Sequence, residues 1–436
     1  MPKEFVIVGG GVAGLAAADT ILRASTDNNV QLFEARGYTG GRAHTDASTI
    51  PGLPFDMGAL YLQDPTSNPL TQLAADLKFD TVADDTSYVL RVDRGKGYED
   101  VPAGSDADVD AFVNEIDDAY EENKNLPNQP VMERPRLDTE VEWFGLASST
   151  YGPFTESAEP WQYLAADRAR EKQGEGNLFV KRGIGTLVRA WGQTLRQRFP
   201  ARYTEQLSTP VNQIVQETDA VVVYANQGRV IVPATACVVT LPVDVLTAGS
   251  VSFTPALTAS YQGALKSLRL GSYLKLAVEL TALPDAISDN TNYYLYNNEP
   301  KGIWQYYRLP FYPKNVLVAH TAGDFAATLE TTDDRMVYAL FQSALSEAYG
   351  VEVKFRGAKA ITNWRNDPYA LGAYSYTAFI GGGPSDRSAF EARRQLSTPM
   401  GRVCFGGEAQ SLAAYGTLQG AYWEGQAAAQ RALKLA

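Results

Sequence analysis

Gly9-Gly10-Gly11-Val12-Ala13-Gly14 lies between an apolar run, Phe5 to Val8, and an alanine-rich stretch that reaches Ala24. That order reads as strand, glycine turn and helix. Gly9 makes the tight turn, Gly11 lets the backbone approach a pyrophosphate, and Gly14 lets helix and strand pack closely. The helix then faces the phosphates with its free N–H groups and positive dipole end. A second apolar run, Val30 to Phe33, ends at Glu34. This acid stands about 20 residues past the last motif glycine, the spacing at which a carboxylate accepts hydrogen bonds from ribose hydroxyls.

Three further segments carry residues of comparable chemical meaning. Arg36, then Gly40-Gly41-Arg42, place a flexible turn and a permanent cation just after the acid. Such a turn can clamp the same pyrophosphate from its other side, with the Arg42 guanidinium as a bidentate donor. In Leu270-Gly271-Ser272-Tyr273-Leu274-Lys275-Leu276, alternation along a strand puts Tyr273 and Lys275 on one face. An apolar strand rarely carries a lysine on its inner face without a reason. Near the end, Arg402 to Phe405 reads as a strand that stops at Gly406-Gly407-Glu408, and Gly416-Thr417-Leu418-Gln419-Gly420 opens an alanine-rich helix.

Taken in order, these segments resemble the flavin amine oxidase family, which includes monoamine oxidases, polyamine oxidases and L-amino-acid oxidases. The Gly-Gly-Arg turn is similar to that family's second FAD motif, and Phe55-Asp56-Met57-Gly58-Ala59 to the acid-x-Gly segment beside the flavin. Lys181 to Leu187 resembles the entry into a helix of the FAD domain. Val211-Asn212-Gln213-Ile214 resembles the strand whose valine backbone meets the adenine, and Val238 to Pro242 the strand-to-turn that often follows. The Gly-Ser-x-x-Lys spacing ending at Lys275 is similar to the segment whose lysine bonds flavin N5 through water. Trp364 to Tyr374 resembles the segment lining the substrate side of the ring.

The resemblance implies roles residue by residue. Gly9, Gly11, Gly14, Glu34, Ala35, Arg36, Gly41, Arg42, Met57, Gly58, Ala59, Val211, Trp364, Gly407, Glu408, Thr417 and Leu418 would surround FAD, with Lys275, Tyr374 and Trp364 catalytic. Ala373 falls where animal monoamine oxidases carry the cysteine that bonds the flavin, which implies a non-covalent cofactor. Tyr374 falls on one tyrosine of their aromatic cage and Thr417 on the second, so half of the cage departs from that pattern. The helix beginning near Thr417 would aim its N-terminus at the flavin pyrimidine ring, where reduction leaves negative charge.

To position these groups the chain needs an α/β fold. The expected architecture is a dinucleotide-binding, Rossmann-like FAD domain, discontinuous in sequence (residues 1–75, 180–265 and 385–436). A mixed α+β substrate domain (76–179 and 266–384) meets it across the flavin ring. With 436 residues, 45% of them hydrophobic, the chain can bury two cores. The stretch 70–179 resembles the family least, and its acidic run Asp106 to Asn125 reads as a solvated helix face.

The net charge of −12 argues against a nucleic-acid partner, which needs clustered cations. No apolar run approaches the roughly 20 residues that span a bilayer. Cys237 and Cys404, the only cysteines, sit in apolar strands, so a disulfide framework is not expected. No secretory signal is visible, and cytoplasmic is the default. His44 and His320 lie in no metal-ligand spacing, so no metal is expected.

The reaction implied is FAD-dependent oxidation of a small-molecule amine. Hydride leaves the carbon α to nitrogen for flavin N5, water hydrolyses the imine, and oxygen reoxidises the flavin to give hydrogen peroxide. An L-amino-acid oxidase is an alternative that needs a cation for the carboxylate, with Arg308 the candidate. A desaturase or porphyrinogen-type oxidase is another, and a structural FAD-binding protein a third. The choice of amine, the electron acceptor and the oligomeric state, a homodimer included, stay open.

Overall fold

The structure is a computed structural model that describes residues 2–93, 97–102, 107–126, 128–133, 151–169, 174–298, 300–379 and 389–436. Its first layer is a parallel sheet in the order Tyr203–Gln206, Asn28–Phe33, Lys3–Val8, Ala236–Val239, Val403–Phe405. Lys3–Val8, Ala236–Val239 and Val403–Phe405 carry nearly continuous apolar runs because both faces are covered, whereas the edge strand Tyr203–Gln206 is polar. Phe5 and Ile7 point to one side and join the helices Val12–Ala24, Ile184–Arg198 and Leu418–Leu435. Val6 and Val8 point to the other, against the antiparallel strands Val211–Gln216 and Val221–Ala225 and the helices Ala259–Ser267 and Ala389–Ser397. Cys237 and Cys404 are buried free thiols in this sheet.

The second layer is a seven-stranded sheet. Its order is Phe355–Ile361, Tyr273–Leu280, Val316–Ala322, Lys301–Arg308, Thr291–Asn298, Ser87–Asp93, Tyr98–Pro102. All neighbours are antiparallel except Thr291–Asn298 with Ser87–Asp93. Leu274, Leu276 and Val278 face the helix Asp334–Tyr349, meeting Val337, Phe341 and Leu345. Each such fully buried side chain contributes roughly 1.5–3 kcal/mol. Asp333 caps that helix by accepting from the Arg335 N–H at 2.9 Å, and Gly350 closes it at φ 63°. By alternation, Tyr273 and Lys275 turn to the opposite face, which looks toward the parallel sheet. The Tyr273–Leu280 strand is interior to the sheet, so Lys275 is not a solvent-facing edge residue. Among the described residues, no helix is long and apolar enough to cross a membrane.

Candidate active site

A continuous cavity of about 910 Å³ runs between the two layers, from the first glycine turn to Lys275. Its first end is a chain of backbone contacts. Glu34, buried at the end of its strand, accepts the Gly10 N–H at 2.7 Å through Oε2 and the Arg36 N–H at 2.8 Å through Oε1. Burial pushes its carboxyl above the ordinary value, and those amides pull it back. The Gly40 N–H donates to the Gly10 carbonyl at 2.8 Å, so the second glycine turn rests on the first. A Cβ on Gly14 would stand 1.9 Å from the Gly9 carbonyl oxygen, so only glycine permits this helix to approach its strand. Gly9, Gly11, Glu34, Ala35, Arg36, Gly41 and Val211 all line the cavity; Gly14 does not, and acts through packing.

Charged side chains fasten the middle. The Arg42 guanidinium donates to Glu408 Oε1 at 3.0 Å and to the Ala373 carbonyl. Glu408 Oε2 accepts from the Ser375 hydroxyl at 2.6 Å and from the Gly416 N–H at 2.8 Å. Burial opposes the charge on Glu408, but Arg42, Ser375, Arg393 and the Gly416 amide together hold its carboxyl below the ordinary value. Arg393, fully buried, pairs with Asp167 at 2.8 Å and donates to Ser375 and the Ala409 carbonyl. Arg36 pairs with Asp367 at 2.7 Å. Thr417 caps the final helix by accepting the Gly420 N–H at 3.0 Å, and Thr417, Leu418 and Gly407 face the cavity.

At the far end Lys275 is 5% exposed. Its ammonium donates to the carbonyls of Asp56, at 3.2 Å, and Gly58. Burial lowers the Lys275 pKa and raises that of Asp56, each opposed by the other's charge. Asp56 accepts from the Ile184 N–H at 2.9 Å and from the Thr45 hydroxyl, pinning the Met57–Ala59 turn against the adjacent helix. Trp364 Nε1 donates to the Met57 carbonyl at 3.0 Å, and Tyr374 donates its hydroxyl to the Phe154 carbonyl at 3.2 Å. Met57, Gly58, Ala59, Trp364 and Tyr374 therefore meet Lys275 around one end of the cavity.

Several wall residues were not legible in the sequence as site residues: His320, Gln305, Tyr294, Phe154 and Tyr415. Three of them, His320, Gln305 and Tyr294, are set in line with Lys275 by the register of paired strands, which the sequence does not display. Arg308, the candidate cation for a substrate carboxylate, is instead paired with Asp289 and is not among the residues lining the cavity. Its strand position makes this inevitable: it lies an odd number of residues from Gln305 and so faces away.

The family model described as "Flavin containing amine oxidoreductase" matches residues 12–121 and 105–433. The chain belongs to that family. The match includes the stretch 70–179, whose sequence resembles the family least. Polyamine oxidase 4 of Oryza sativa subsp. japonica is 26% identical, covering 99% of this chain and 89% of its own. Lysine-specific histone demethylase 2 of Homo sapiens is 24% identical over 97% of this chain and 52% of its own. A solved structure of putrescine oxidase shares the fold, with TM-score 0.76, 18% identity, and coverage of 100% of this chain and 99% of that one.

This flavin amine oxidoreductase uses FAD, and the residues present fit it. The open approach to Gly11, whose nearest obstacle to an added Cβ is 3.9 Å away, leaves the backbone accessible, as a pyrophosphate requires. The long cavity matches an extended dinucleotide lying between the first glycine turn and Lys275.

Proposed function

We propose that the enzyme is an oxidase of small amines, with molecular oxygen as the electron acceptor and hydrogen peroxide as a product, acting in the cytoplasm. In this reading Gly9, Gly11, Glu34, Ala35, Arg36, Gly41, Arg42 and Val211 hold the nucleotide part of a non-covalent FAD. Met57, Gly58, Ala59, Gly407, Glu408, Thr417 and Leu418 hold the remainder, and Gly14 supports the turn. Lys275, Trp364 and Tyr374 serve the reaction. The observation that carries this reading is the buried Lys275 ammonium beside Trp364, at the opposite end of one cavity from the glycine turn.

When bound, FAD supplies the two-electron acceptor for the C–H bond next to nitrogen. The protein's share is orientation and electrostatics. The Thr417 end of the final helix presents N–H groups and a positive dipole end to developing negative charge. Tyr273, Tyr294, Phe154 and Tyr374 wall the substrate space with rings that exclude water. Burial raises the pKa of Tyr273 and Tyr294 and lowers that of His320, so these walls are neutral and suit an amine that reacts without its proton. Lys275, held by two carbonyls and with its pKa lowered by burial, is placed to give or take a proton through a water molecule.

The test is oxygen uptake and peroxide formation by the purified holoenzyme on primary amines, polyamines and L-amino acids. Peroxide formed in step with oxygen lost, on amines, supports the reading. Turnover only with an artificial electron acceptor, and none with oxygen, would overturn the oxidase part of it.

A further inference from the structure

The seven-stranded sheet carries a polar row across its strands that the proposed chemistry leaves unused beyond Lys275. Lys275 is paired with His320, His320 with Gln305, and Gln305 with Tyr294. All four line the cavity. With neighbouring strands about 4.8 Å apart, Gln305 stands roughly 10 Å from Lys275 along the wall.

Hydrogen bonding fixes which way the Gln305 amide is turned. The Asp84 carboxylate can only accept, so the Thr86 hydroxyl donates to it, at 2.6 Å. Thr86 Oγ1 therefore accepts from Asn292 Nδ2, at 2.8 Å. That leaves Asn292 Oδ1 to accept from Gln305 Nε2, at 3.2 Å. The polarity of the whole chain is set by the carboxylate at its end, and what remains is Gln305 Oε1. The side chain is 9% exposed and lines the cavity, yet this carbonyl oxygen takes no hydrogen bond among the described residues. The residue as a whole is buried, but this oxygen opens onto the cavity, where a ligand or water can supply the donor it lacks.

Its neighbour cannot supply that donor. His320 Nδ1 is bonded to the Tyr273 hydroxyl and Nε2 to the Tyr307 hydroxyl, both at 3.2 Å, so both ring nitrogens are engaged. Burial also keeps this ring neutral. The row holds no carboxylate, so a second ammonium group on the substrate would be desolvated there without a counter-charge.

We propose that Gln305 Oε1 is a substrate subsite, accepting a hydrogen bond from an uncharged O–H or N–H donor carried by the amine at the end remote from its reacting carbon. The assignment rests on the amine-oxidase reading and names a substrate class for it: amines with a distal neutral donor, of which amino alcohols are the simplest.

The experiment compares 5-aminopentan-1-ol, n-pentylamine and 1,5-diaminopentane with wild-type holoenzyme and Gln305→Leu. Wild type is expected to favour the amino alcohol over n-pentylamine by about tenfold in kcat/KM, the worth of one well-made hydrogen bond. Gln305→Leu is expected to erase that preference and to keep n-pentylamine turnover within about threefold of wild type. Gln305→Met, nearer in shape, replaces it where the leucine variant loses its flavin. Amines with two methyl groups and no hydrogen on the α-carbon cannot be oxidised. Their dissociation constants, read from perturbation of the flavin absorbance, should show the same split between hydroxyl-bearing and plain chains. No preference in wild type, or a preference that survives the Gln305 variants, overturns the subsite. So does a preference for 1,5-diaminopentane over the amino alcohol that survives them. If no amine is oxidised or bound at all, the amine reading itself has failed, an outcome distinct from n-pentylamine oxidation without discrimination.

Discussion

The two ends of the cavity are built on opposite electrostatic plans. Around the glycine turns and the closing Gly407-Glu408 segment, charges are retained and paired: Arg36 with Asp367, Arg42 with Glu408, Arg393 with Asp167. Along the strand wall that carries Lys275, charge is suppressed. His320, Tyr273 and Tyr294 are held neutral by burial, and Lys275 is the one ammonium of the polar row. A cofactor that never leaves can be held by fixed charges whose desolvation is already compensated. A substrate that enters and leaves repeatedly is better met by neutral walls, which discriminate by hydrogen bonding and do not trap ions.

That contrast can be broken most severely at Glu408. Glu408→Ala removes the carboxylate shared by Arg42, Ser375 and the Gly416 amide. The expected loss is about 2–3 kcal/mol, below the full value for a buried pair because Arg42 stays partly exposed. Flavin content and thermal denaturation of the purified variant check it, and full retention of both would remove Glu408 from the cofactor end. At the other end, Lys275→Met should slow reoxidation by oxygen on the order of 10²-fold while changing anaerobic reduction by amine far less. Stopped-flow traces of the two half-reactions separate these, and equal slowing of both would assign Lys275 to substrate binding instead.

Acid tests the neutral wall through His320. Its folded-state pKa lies well below the ordinary value, so the unfolded chain takes up a proton near pH 6.5 that the folded chain refuses. Stability should therefore be lost as pH falls below that value, at up to about 1.4 kcal/mol per pH unit for one such group. His44, pushed down to about 4 by burial, adds a loss of the same sign. Thermal melts across this range should show a shallower decline in His320→Gln, and an unchanged slope would contradict the neutral wall. The smallest effect is expected at Thr417→Val, which removes a helix cap for about 1 kcal/mol. A thermal shift without loss of flavin would confirm that the cap serves the helix more than the cofactor.

The first glycine turn was readable because its contacts are local in sequence. A strand, a glycine turn and an acid must follow at fixed spacing for Glu34 to reach the Gly10 N–H, and the spacing is visible in the chain. Lys275 was readable because an apolar strand advertises an ionisable residue. Gln305 and His320 were not, since their meaning comes from register between strands far apart in sequence. The face taken by Arg308 was open for the related reason that, within an aromatic run, composition does not reveal which way a residue points. Asp56 was read as part of a flavin-side motif, whereas its side chain ties that turn to the helix beginning at Ile184.

The most direct test of the central claim is an anaerobic absorbance titration of the holoenzyme with amines, followed by admission of air. Flavin should co-purify, bleach on addition of an amine, and regain its colour in air with release of peroxide. Protein without flavin, or flavin that no amine bleaches, would contradict it.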